Sequence, residues 1–325
     1  MTRGTTQAVT VRVPATSANL GPGFDSLGLA LSLYDDVTVA IGQPGALRVA
    51  VSGESEELAS RGEQHLIVKV IRQTWERLGG DNWGPSGLRL TCRNRIPHSR
   101  GLGSSSAAIV AGILAARALH PDGPDMDEDA VLALATEIEG HPDNVAPCLA
   151  GGLTIAWTPE DEKNPRSVRL DIDREVVVFV PDHRLATEQA RGLLPDVVPH
   201  SDAAANSART ALLIAALTGQ VGTDVLLDAT EDRLHQAYRA PAMPDSADLV
   251  KRLRDSGIPA VISGAGPTVL AFTSASRVDS IGLEVGNGWH RYPLNVDPQG
   301  ARVQPAGGPQ DVGPGDATTA GDTRT

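Results

Sequence analysis

The chain has 325 residues, more than one simple hydrophobic core organises, so two domains are expected. Its 40 acidic residues outnumber its 28 basic ones, and the net charge of −12 repels nucleic-acid backbones and anionic membrane surfaces. Aromatic residues make up 3%, too few to build stacking platforms for bases, so neither nucleic acid nor membrane is expected as a partner, and any phosphate must be held by a local feature.

Val9, Val11 and Val13 alternate with polar residues, and the same period of two recurs in Val37 to Ile41, Leu47 to Val51 and Leu88 to Cys92. The chain therefore opens as a sheet. Its leading MTRGTTQAVTVRV lacks the apolar core of a signal peptide. Helical runs follow at Leu66 to Leu78, Ser104 to Leu119 and Asp129 to Glu139, which mixes strands and helices in an α+β order. The longest apolar stretch, Ala107 to Ala116, is far short of a membrane span. Cys92 and Cys148 are isolated and lack metal-site spacing, as reduced, buried thiols would be, so a cytoplasmic location is expected.

The polar stretch Thr158 to Ser167, with two prolines, reads as the connector between halves, giving a first domain over 1–160 and a second over 168–297. In the second, Val176 to Val180 and Val269 to Phe272 read as strands, and Ser201 to Leu217 and Ala247 to Asp255 as helices, which suits a small α/β sandwich. From Pro298 onward there is almost nothing to bury, so 298–325 is expected to be a disordered tail.

The most informative stretch is Pro97-His98-Ser99-Arg100-Gly101-Leu102-Gly103-Ser104-Ser105-Ser106-Ala107-Ala108, which runs into the apolar IVAGILAARAL. Glycines at 101 and 103 let backbone approach a ligand closely, and three serines at the helix start lie beside N–H groups that have no intrahelical partner. The positive end of the helix dipole adds attraction for an anion, so no lysine is required. A serine cap after a glycine turn would look similar, and for the GxGS fragment alone that is the better reading. The string is not a Walker A loop, since the chain has no Gly-Lys pair; it is not GxGxxG, since position 106 is Ser; and no GxSxG frames a nucleophilic serine.

The full string, with Pro97 ahead of GLGSSSAA, resembles the nucleotide loop of the GHMP kinases, which act on galactose, homoserine, mevalonate and phosphomevalonate. Two further blocks agree in order and spacing: Val13-Pro14-Ala15-Thr16-Ser17-Ala18-Asn19-Leu20-Gly21-Pro22-Gly23-Phe24-Asp25 and Ser263-Gly264-Ala265-Gly266-Pro267-Thr268. The resemblance spans the chain to about residue 297. It implies the α+β, two-domain GHMP kinase fold, with a ribosomal S5 domain 2-like N-terminal domain and a ferredoxin-like α/β sandwich after it. It also implies ATP and Mg²⁺ as cofactors, and a homodimer is usual in such enzymes. PATSANLGPGFDSLGLAL and GHPDNVAP are similar to the blocks of members that phosphorylate the hydroxyl of L-homoserine on the way to threonine, so L-homoserine is the implied substrate. Arg100, where the family often has a smaller residue, and Ser106, where it often has Ala, depart from the pattern.

By the same resemblance Pro97, Gly101, Leu102, Gly103, Ser104, Ser105, Ser106 and Ala107 would cradle the nucleotide. Glu139 with Ser105 would hold Mg²⁺, which prefers hard oxygen ligands, with Glu137 as the spare. Asn144, Thr187 and Glu139 form the implied catalytic group. A homoserine pocket must meet an ammonium, a carboxylate and a hydroxyl. Asn19 and Asp25 are expected at the amino end and Arg191 and Arg239 at the carboxylate, which guanidinium forks match. Thr187 and Arg191 are four apart and would share a helix face. His141 and Asn144, on a central loop, would lie near the hydroxyl. Phosphoryl transfer needs mainly positioning and charge neutralisation, so no strong general base is expected. Two competing classes are a silent nucleotide-binding sensor, which would bind ATP without releasing ADP, and a decarboxylase of the same fold, which would release carbon dioxide.

Overall fold

The computed structural model describes residues 8–79, 84, 87–160, 162, 164–280 and 285–306. The strands of the first half are β1 (Ala8–Ala18), β2 (Leu27–Ile41), β3 (Leu47–Gly53), β4 (Leu88–Asn94), β5 (Leu153–Trp157) and β6 (Arg166–Leu170). Those of the second are β7 (Glu175–Pro181), β8 (Ala260–Ile262), β9 (Val269–Ala271), β10 (Trp289–Asn295) and β11 (Arg302–Pro305). The first four helices are α1 (Leu66–Gly79), α2 (Ser104–Leu119), α3 (Glu128–Glu139) and α4 (Pro142–Ala150). Six more follow: α5 (Thr187–Arg191), α6 (His200–Leu217), α7 (Leu226–Ala229), α8 (Gln236–Arg239), α9 (Pro244–Asp255) and α10 (Ala275–Ser280).

One sheet runs β11-β1-β2-β4-β3, with β5 pairing β2 and β6 pairing β5; the other runs β10-β7-β9-β8. In β1 the alternation works as the sequence suggests, since Val9, Val11 and Val13 are buried while Arg12 is exposed. Helix α2 is apolar on nearly every side because it is enclosed on nearly every side, with Ile109, Val110 and Ile113 at 1% exposure or less. Its neighbour α1 buries one face, and there the Trp75 indole N–H donates to the Ala116 carbonyl at 3.0 Å. Strand β7 is a fully apolar run for a different reason. Val176, Val178 and Val180 face the large core shared with the first sheet, while Val177 and Phe179 face a second core closed by Leu249 and Leu253 of α9.

Three expectations are corrected here. The GHPDN segment, expected as a loop, opens α4; Pro142 stands at the start of the helix, where its missing N–H is no loss. Strand β6 pairs with β5 from Leu153↔Leu170 to Trp157↔Arg166, so the expected start of the second half at 168 falls inside a strand of the first sheet. The segment 298–306, expected to be disordered, is ordered: β11 pairs with β1 from Val9↔Pro305 to Arg12↔Arg302. It is held by backbone and polar contacts, which a count of apolar residues does not register. Asp297 accepts from the Tyr34 hydroxyl at 3.0 Å and from the Gly300 N–H at 2.8 Å, and the Ala301 N–H donates to the Cys148 carbonyl at 2.8 Å. The rest of the expected tail, 307–325, lies outside the described residues.

Cys92 and Cys148 are free and buried, and burial followed by the charge of Asp35 pushes the Cys92 thiol up to about 12. Among the described residues, no helix is long and apolar enough to cross a membrane.

Candidate active site

The glycine-rich loop enters α2 through two left-handed residues, Gly101 at φ 77° and Gly103 at φ 68°. Space as well as φ requires glycine here. A Cβ on Gly103 would lie 1.9 Å from the Thr16 hydroxyl, and one on Gly101 would lie 2.3 Å from the Ser263 carbonyl oxygen. Those neighbours come from the other two sequence blocks, so all three meet at this loop. The Thr16 N–H donates to the Leu102 carbonyl at 3.1 Å, and the Ser263 hydroxyl donates to the Gly101 carbonyl at 2.6 Å. No side chain caps α2, so the N–H groups of its first turn have no side-chain partner, the arrangement an anion site requires.

The loop faces a cavity of about 380 Å³, walled by Gly101, Gly103, Ser104, Ser105 and Ala107. Pro97, Leu102 and Ser106 are buried and lie behind that wall. Ser105 and Ser106 donate their hydroxyls to the two oxygens of Glu139, at 2.9 and 2.7 Å, which fixes one carboxylate beside the start of α2. Ser106, a departure from the family pattern, thus has a defined partner. Glu137 lies elsewhere, its half-exposed carboxylate paired with Arg77 at 3.0 Å. Among the described residues no three His, Cys, Asp or Glu side chains gather as a metal site. One carboxylate and one hydroxyl still suit Mg²⁺, which keeps several waters and takes oxygens from bound phosphates. Arg100, the other departure, sends its guanidinium to the Asp182 carbonyl at 2.9 Å and towards Glu54 at 3.7 Å.

Beyond Glu139 the cavity wall continues through His141, Asp143, Asn144, Thr187, Arg191 and Arg239. The Asn144 side-chain oxygen Oδ1 accepts from the Thr16 hydroxyl at 2.7 Å, next to Gly103. His141 Nδ1 lies 2.6 Å from Asp143. Burial works against an imidazolium there, but the hydrogen bond and charge of Asp143, with the charge of Glu139, outweigh it and raise the His141 pKa.

The ligand ends differ from expectation in part. Asn19 does not offer a free amide: its Nδ2 donates to the Gly264 carbonyl at 2.9 Å and its Oδ1 accepts from the Asp25 N–H at 2.9 Å, so it braces the first block against the third. Asp25 and Arg191, expected to meet opposite ends of a substrate, hold each other in a two-pronged pair at 2.7 and 3.1 Å. Arg239 is 1% exposed. Its Nε donates to the Ala190 carbonyl at 3.3 Å, and its Nη1 contacts His235 Nδ1 at 3.1 Å and the Gly264 carbonyl at 3.4 Å. Among the described residues no carboxylate pairs with it. Burial, and then the charge of Arg191, lower its pKa.

At its other end the cavity is walled by Val13, Val37, Ile67, Asp35, His65 and His98, none of which was expected at the site from the sequence. His65 is 5% exposed with neither ring nitrogen bonded, and His98 Nδ1 is likewise unbonded. Burial lowers both pKa values, with His98 adding to the effect on His65 and the Arg184 charge to that on His98. A histidine before an apolar helix looks like a core residue in sequence, so no signal marked them.

An uncapped helix start entered through a glycine turn, at the junction of the two sheets, is the kind of backbone anion site that nucleotide-using kinases employ. Residues 65–152 match the GHMP kinases N terminal domain and residues 214–291 the GHMP kinases C terminal domain. The chain belongs to the GHMP kinase family, and the α+β architecture expected from the sequence is that family's fold. Its relatives narrow the class. Homoserine kinases of Streptomyces coelicolor and Clavibacter michiganensis subsp. michiganensis are 56% identical over 301 residues and 49% over 307, each match covering 92% of this chain and 95% of the relative. The crystal structure of homoserine kinase from Cytophaga hutchinsonii superposes with a TM-score of 0.77 at 26% identity, covering 94% of this chain and 99% of that one. Mevalonate diphosphate decarboxylase from Staphylococcus aureus, at 14% identity and a TM-score of 0.64 over 92% of this chain and 98% of its own, shares the fold.

Proposed function

We propose that this GHMP kinase transfers the terminal phosphoryl group of ATP to the side-chain hydroxyl of L-homoserine, giving O-phospho-L-homoserine and ADP on the route to threonine. The observation that carries the acceptor is Arg239, a buried guanidinium on the cavity wall with no carboxylate partner among the described residues. A buried charge without a counter-ion is unfavourable, and a substrate carboxylate would supply one. Asp25 and Arg191 support a zwitterion: an incoming ammonium and carboxylate could each replace one member of that pair. The 56% identity to a homoserine kinase supports the same acceptor.

The triphosphate would rest on the backbone of Gly101 to Ala107, with the base towards Val13, Val37 and His65. Glu139 and Ser105 would hold Mg²⁺, which would draw charge from the phosphates as the bridging bond weakens. The substrate oxygen forms its bond to the γ-phosphorus as the bond to the bridging oxygen breaks. The electron pair leaves with ADP, and the hydroxyl proton passes late to phosphate or water. His141, its Nδ1 tied to Asp143 at 2.6 Å, would position the hydroxyl, and the loose transfer calls for no strong base. Asn144 and Thr187 would frame that hydroxyl from the two sides of the cavity.

A coupled ADP-release assay across L-homoserine, mevalonate, galactose and shikimate tests the proposal. Turnover is expected with L-homoserine. Turnover with another acceptor alone would move the substrate, ATP binding without ADP release would make the chain a sensor, and carbon dioxide release would make it a decarboxylase.

A further inference from the structure

His235 is fully buried, and both its ring nitrogens are in use. Nε2 lies 2.8 Å from the Gly21 carbonyl oxygen and Nδ1 lies 3.1 Å from Arg239 Nη1. A carbonyl can only accept and a guanidinium can only donate. Nε2 therefore carries the proton and Nδ1 is a bare acceptor. Protonating Nδ1 would set two N–H groups against each other. Burial also disfavours the imidazolium, lowering the pKa against the pull of Asp232, whose carboxylate is 3.7 Å from Nε2. Asp232 itself is held by the N–H groups of Leu234, His235 and Gln236 at 2.9, 3.0 and 2.7 Å. The Phe24 ring stacks on the imidazole, centroids 5.2 Å apart, and the Arg239 guanidinium lies 5.4 Å from the same ring's centroid.

Gly21 and Phe24 belong to the loop that also carries Asp25, so His235 joins that loop to Arg239. We propose that His235 is a positioning residue, which as the neutral Nε2–H tautomer holds the Arg239 guanidinium at a fixed span from Asp25, so that the site fits the carboxylate of an α-amino acid. The proposal rests on reading Arg239 as the carboxylate site.

Two substitutions separate the bonds. His235→Gln places an amide near the Nε2 position, keeping the bond to Gly21 and losing the acceptor for Arg239; His235→Asn keeps an acceptor near the Nδ1 position. H235Q is expected to raise KM for L-homoserine about tenfold or more, as loss of a hydrogen bond to a charged group does, with KM for ATP within about twofold of the parent. H235N, which keeps the acceptor for Arg239 but loses the bond to Gly21, is expected to raise the homoserine KM less than H235Q does. Inhibition by 3-amino-1-propanol, which lacks the carboxylate, is expected to be the same in H235Q and the parent. An unchanged homoserine KM in H235Q, or an equal rise for both substrates, overturns the positioning role. Arg239→Ala is the separate control: if it leaves the homoserine KM unchanged, the carboxylate reading has failed. Should H235Q not fold, the ¹⁵N spectrum of the unaltered protein decides, with a protonated Nε2 and bare Nδ1 expected at neutral pH and a protonated Nδ1 overturning the proposal.

Discussion

Asp35 accepts the N–H groups of Arg95 at 2.6 Å and Ile96 at 2.9 Å, yet burial outweighs these bonds and pushes its carboxyl from 3.8 up to about 6. The folded chain therefore retains a proton that the unfolded chain has already released. Because the folded pKa is the higher one, this contribution to stability is full below about pH 4 and is lost as pH rises through about 6. At 1.36 kcal/mol per pKa unit the loss is on the order of 3 kcal/mol. Asp35→Asn keeps the acceptor oxygen and removes the charge. Denaturant titrations between pH 4 and 7 should show a flatter pH profile and a more stable protein at pH 7 than the parent; an identical profile would assign the titration to another group. Nothing in the sequence separates Asp35 from Asp36, which reaches the surface only in part and lies between the more exposed Arg12 and Arg95. The difference appears only when β2 turns one carboxylate inward.

The clamp between α2 and α3 has its own test. Ser105→Ala removes one hydroxyl from Glu139 and is expected to lower turnover about tenfold and to raise the Mg²⁺ concentration needed for half-maximal rate. An unaltered metal response would shift the ligand to a neighbouring hydroxyl such as Ser104. Helix α2 was legible from end to end, because an apolar run entered from GLGS has few other ways to fold. The same is true of β7 and α6, where period and length agree. Helix α4 was not legible: Pro142 and Pro147 read as loop residues, although the first occupies a position where proline is tolerated. Strand β11 escaped because backbone pairing with β1 holds it, whereas its exposed side chains carry little pattern. At the site, the glycine turn into α2 was legible through residue type and spacing, whereas its reading as a nucleotide cradle came from the family resemblance. The roles of Asn19 and His235 were not, since only the fold shows which polar atoms their neighbours already occupy.

At the scale of the molecule, the site is a seam, and we propose the two sheets as two domains that meet there. The Gly264 N–H donates to the Ala18 carbonyl at 3.0 Å, the Thr268 N–H to the Arg100 carbonyl at 3.2 Å, and the Leu185 N–H to the Ser99 carbonyl at 3.1 Å. A ligand held by both sides favours the closed arrangement over any opened one. A non-hydrolysable ATP analogue at a hundred times its Kd should stabilise the chain by about 2.7 kcal/mol, seen as a Tm several degrees higher. L-homoserine should add a further rise in the parent and none in Arg239→Ala; a rise in that variant would place the carboxylate elsewhere. The pairing of Val9 with Pro305 has a consequence of another kind. On the ribosome β1 emerges well before β11, the strand that covers its outer edge. Until β11 arrives that edge is an open template for other nascent strands, and its pairing with β1 removes the hazard.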